Sequence, residues 1–61
     1  MKVESYELDG YTVEMIFESG SWDIYVNNEL DAQFHAFQDA AIHFDQKVKQ
    51  LLELQKLKIV N

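Results

Sequence analysis

Apolar and polar residues alternate through the first part of the chain, where Tyr6, Leu8, Tyr11, Val13, Met15 and Phe17 share one parity once Asp9-Gly10 is read as a two-residue turn. That turn pairs Leu8 with Tyr11, Tyr6 with Val13 and Glu4 with Met15, so the apolar side chains of two strands land on one face. A four-residue loop, Glu18-Ser19-Gly20-Ser21, then pairs Phe17 with Trp22, Met15 with Ile24 and Val13 with Val26 on the same face. A two-residue Asn27-Asn28 loop would pair Tyr25 with Leu30 and turn the apolar residues of the fourth segment the wrong way. A three-residue loop with a bulge at Glu29 restores the parity, pairing Val26 with Leu30, Ile24 with Ala32 and Trp22 with Phe34.

From about Ala36 the period becomes helical. Phe37, Ala41, Phe44, Val48 and Leu51 step by four, three, four and three along one stripe, and neither Gly nor Pro interrupts it. No strong N-cap residue precedes the stripe, although Asp39 falls in the first turn, where the helix dipole favours a carboxylate. The tail Leu57-Lys58-Ile59-Val60 reads equally as a fraying helix end or a short strand.

The expected architecture is therefore α+β, in two layers. An antiparallel meander over about residues 2–34, of four strands or, should the fourth segment not pair, of three, is followed by one long amphipathic helix over about 37–56, packed on one face of the sheet. The expected core is Tyr6, Leu8, Val13, Met15, Phe17, Trp22, Ile24, Val26, Phe34, Phe37, Ala41, Phe44, Val48 and Leu51.

Length and composition narrow the function. With 61 residues the chain is one domain, and a core of this size contributes only about 3–5 kcal/mol of net stability. With no Cys, disulfides and thiolate metal sites are excluded, which leaves self-association as the expected support. No apolar run is long enough to span a bilayer and the N-terminal residues do not resemble a signal peptide, so a cytoplasmic protein with no membrane partner is expected.

The charge is unevenly spread. Residues 1–31 hold eight acids against Lys2 alone, a net of −7, whereas the remaining thirty residues carry three acids and four lysines. A net charge of −6 opposes direct nucleic-acid binding and favours a basic protein partner.

Catalytic signatures are absent. No Arg is present to clamp a phosphate, Gly10 and Gly20 are isolated turn glycines, and no nucleophile can be matched with a base in a pocket, so a non-enzymatic, cofactor-free protein is expected. His35, Asp39 and His43 lie four residues apart, a spacing that permits a divalent metal if the helix reaches back to His35; a solvated polar face, with His43 paired to Asp39, is the plainer reading.

The open face of the sheet is the expected partner surface. Glu7, Glu14, Ile16, Asp23 and Tyr25 fall on it, with Val3 expected directly opposite Ile16, giving a small apolar centre with a carboxylate rim. This points to an inhibitor or accessory factor that binds a basic protein surface, even one meant for nucleic acid, with an economy that suits a phage or mobile element. The alternative is a structural homodimer or assembly subunit that uses Leu52, Leu54 and Leu57 on the helix, with the acidic sheet serving solubility.

Overall fold

The computed structural model describes the backbone of residues 1–59 and the side chains of residues 1–57. Four strands, β1 (Lys2–Leu8), β2 (Tyr11–Glu18), β3 (Ser21–Val26) and β4 (Glu29–Phe34), form one antiparallel meander in the order β1-β2-β3-β4. The helix α1 (Phe37–Ile59) packs across one face, giving the ββββα architecture expected from the alternation.

Three two-residue turns set the register. Asp9-Gly10, Ser19-Gly20 and Asn27-Asn28 all have positive φ at both positions, the conformation whose twist matches that of the flanking strands. The Ser19-Gly20 connection is shorter than the four-residue loop read from sequence, because Glu18 and Ser21 continue the ladder; the parity is unchanged. At Asn27 the turn is tied to the neighbouring hairpin. Its N–H donates to the Thr12 carbonyl at 2.9 Å, and its side-chain Oδ1 accepts from the Thr12 N–H at 3.0 Å.

The edge strands depart from the expected pairing. In β4 the two-residue Asn27-Asn28 turn does pair Tyr25 with Leu30, and the parity is restored by a bulge at Asp31, not at Glu29. Leu30 therefore faces outward beside Tyr25, while Ala32 and Phe34 keep their inward partners Ile24 and Trp22. In β1 a bulge at Val3 makes Lys2, and not Val3, the partner of Ile16. Bulges on both edges twist them away from continued pairing and blunt edge-to-edge association.

The core is small and central. Val13, Met15, Ile24, Ala40 and Phe44 are buried, and Tyr6, Trp22, Phe34, Ala41, Val48 and Leu51 pack around them. Ala40, absent from the sequence-derived core, is fully enclosed, whereas Ala41 lies at the margin. Phe17 and Phe37, both expected inside, stay partly exposed at the end where α1 begins. Both pack against Trp22 instead, with ring centroids 4.3 and 5.0 Å from it.

The helix runs three residues beyond its expected end, through Ile59, so the tail is helical there; Val60 lies outside the described residues. At about 1.5 Å per residue its length exceeds that of any strand, and among the described residues its core packing stops at Leu51. No described helix is long and apolar enough to cross a membrane.

Candidate functional site

The face of the sheet opposite α1 carries Ser5 and Glu7 from β1, Thr12, Glu14 and Ile16 from β2, Asp23 and Tyr25 from β3, and Gln33 and Leu30 from β4. Alternation along each strand puts these residues outward because Val13, Met15 and Ile24 point in. Four of the five residues expected at a partner site, Glu14, Ile16, Asp23 and Tyr25, are cross-strand neighbours at its centre. Glu7 stands at the β1 edge opposite Thr12 and is exposed.

The acids of this face differ in their availability. Asp23 is only 5% exposed, and its Oδ1 accepts from the Ser21 hydroxyl at 2.7 Å and the Gln33 amide at 3.3 Å. These bonds compensate the carboxylate for lost hydration and make it a fixed part of the sheet surface. Glu14 is held by Lys2, whose Nζ lies 2.6 Å from Oε2 on the same face. Glu7 and Glu18 remain exposed on it.

Leu30 is the residue that sequence reasoning missed. It is 50% exposed, and it extends the apolar centre from Ile16 through Tyr25 across three strands. The signal was present in Asn27-Asn28, since two residues that tolerate positive φ favour the two-residue turn that pairs Leu30 with Tyr25.

The bulge that restores parity also builds a contact between layers. Asp31 turns toward α1, where His43 Nε2 donates to its Oδ2 at 2.6 Å and Lys47 Nζ lies 3.6 Å from its Oδ1. The hydrogen bond from His43 holds the Asp31 carboxyl below its usual range, aided by the Lys47 charge and opposed by partial desolvation.

His43 thus pairs with Asp31, not with Asp39. The structure does not assemble His35, Asp39 and His43 into one site, and among the described residues no group of three His, Cys, Asp or Glu side chains could hold a metal ion.

Leu52, Leu54 and Leu57, expected at an oligomer interface, are 40%, 56% and 69% exposed. They do not form one stripe. At about 100° per residue Leu52 and Leu54 project to nearly opposite sides of α1, with Leu57 on the Leu54 side.

No family model, curated protein or solved structure matches this chain.

Proposed function

We propose that this protein is a small non-enzymatic interaction module that binds a basic protein surface through the open face of its sheet, as an inhibitor or accessory factor in the cytosol. The observation that supports this reading is the outward apolar centre of Ile16, Tyr25 and Leu30, which α1 leaves uncovered and which lies in the acidic half of the chain. Tyrosine and leucine supply anchoring area, and surrounding carboxylates favour approach of a positive surface. Because Asp23 is committed to Ser21 and Gln33 and Glu14 to Lys2, steering falls to Glu7 and Glu18, with Asp23 adding fixed negative potential beneath the patch. The same field disfavours a phosphate backbone, so a direct nucleic-acid partner does not fit.

The test is parallel capture from nuclease-treated lysate by the protein and by its Tyr25→Ala, Leu30→Glu and Glu14→Lys variants. A basic protein retained at low salt by the parent chain, released as salt rises and lost by all three variants supports the reading. Equal retention by every bait, or retention indifferent to salt, contradicts it.

A further inference from the structure

The helix carries a second surface, on the flank turned away from the Asp31 contact. His43 and Lys47 project toward β4, and roughly 160° around the helix from them Gln38, Ile42, Asp45, Lys49, Leu52 and Lys56 step by four, three, four, three and four. That spacing is the seam of a two-stranded coiled coil. None of its members belongs to the core, and its two apolar members, Ile42 and Leu52, are 53% and 40% exposed. Beside them Phe37, Gln38, Ala41, Ile42 and Asp45 line a shallow, mainly apolar groove.

We infer that this flank docks a second copy of the chain, with the two α1 helices antiparallel about a twofold axis lying between Asp45 and Lys49. The order of residues along the seam carries the inference, because it is complementary to its own reverse. Antiparallel alignment centred there sets Ile42 against Leu52, Asp45 against Lys49 and Gln38 against Lys56 of the second copy, each twice by symmetry. Every apolar position meets an apolar position and every carboxylate meets an ammonium.

Parallel alignment would instead stack Asp45 on Asp45 and Lys49 on Lys49, so charge selects the antiparallel arrangement. The opposed helix dipoles favour it too. Within one chain Asp45 and Lys49 already lie 3.0 Å apart, both largely exposed, so each can join a four-charge cluster without leaving a buried group.

The seam includes Leu52 and leaves out Leu54 and Leu57. It also leaves the open sheet face of each copy clear, so the assembly carries two acidic faces and stands or falls separately from the sheet-face reading. With polar residues at four of its six positions it specifies orientation at a cost in affinity, and association belongs in the micromolar range.

Sedimentation equilibrium of the full chain at low salt and high micromolar concentration tests this. The parent protein should sediment as a dimer, while Asp45→Lys and Lys49→Asp should each weaken dimerisation by roughly tenfold or more, since each sets like charges together twice. An equimolar mixture of the two variants should recover the dimer as a heterodimer, and the double variant should recover it as a homodimer. These surface changes leave the fold intact, as circular dichroism of each variant would verify. Ile42→Glu should dissociate the dimer and Leu54→Glu should not. A monomeric parent protein, failure of the mixed variants to recover, or dissociation by Leu54→Glu with Ile42→Glu still dimeric would each overturn the inference.

Discussion

Deleting Asp31 tests whether turn geometry and side-chain parity set the register of the sheet. The deletion removes the one residue that lacks a partner on β3, leaving Leu30 against Tyr25 and bringing Ala32 against Ile24 as a regular pair. All existing pairs survive. The loss is the contact with α1, a hydrogen bond of 2.6 Å to His43 and a 3.6 Å ion pair with Lys47.

A charge-assisted hydrogen bond contributes about 1.5–3 kcal/mol when well enclosed. The Asp31 side chain is 28% exposed, and solvent screening lowers its value toward about 1 kcal/mol. A regular ladder without the bulge offsets part of that, so the net loss should be about 0.5–1 kcal/mol.

The control is deletion of Glu14. This leaves Val13 and Met15 consecutive, so one of two fully buried side chains must face water or the strands must slip. Either outcome exceeds the roughly 3–5 kcal/mol available to a domain of this size. Urea unfolding followed by Trp22 fluorescence should give a cooperative transition for the Asp31 deletion, with a slope like that of the parent, and none for the Glu14 deletion. Loss of cooperativity in both would refute the account of register.

Gly20→Ala should cost about 1 kcal/mol in the same assay through its backbone alone, since φ is +79° there and nothing lies within 4 Å of an added Cβ. Asn28→Gly, at φ +69°, should gain a few tenths of a kcal/mol. Ile24→Ala, at a fully buried position, should lose about 2–5 kcal/mol and largely unfold the domain, whereas Leu30→Ala should change the midpoint little. The Asp31 carboxyl titrates below its ordinary 3.8, so the unfolded chain binds the more protons and stability falls as pH drops from about 3.8 through the lower folded value; Asp31→Asn should flatten that part of the thermal-midpoint profile.

The elements with local causes were legible in the sequence. Asp9-Gly10 announces a turn and Glu18-Ser19-Gly20-Ser21 a connection, though one longer than the two residues observed; alternation between them assigns the buried face, and the four-three spacing from Phe37 to Leu51 assigns the helix. Features that depend on distant partners were not. The bulge at Asp31 makes sense once His43, twelve residues on, supplies its bond, and the bulge at Val3 once Met1 closes the ladder beyond it, its ammonium donating to the Phe17 carbonyl at 2.8 Å and its carbonyl accepting from the Phe17 N–H at 2.9 Å. Ala40 displaced Ala41 from the centre because the two lie about 100° apart and the sheet meets the helix on one side of the stripe.

The open face of the sheet was legible in outline, because outward residues follow from inward ones. Its energetics were hidden. Nothing local distinguishes Asp23, enclosed by Ser21 and Gln33, from Glu7 at the exposed edge. Leu30 was concealed by parity, since its outward position requires a bulge that follows it in the chain.

The most direct test of the sheet-face account is chemical-shift mapping of the isotope-labelled protein titrated with a basic protein retained in the capture experiment. The account predicts perturbations concentrated at Glu14, Ile16, Tyr25 and Leu30, diminishing with added salt, while Ile42 and Leu52 on α1 remain at their starting positions. Perturbations confined to α1, with the open face of the sheet unchanged at saturation, would contradict it.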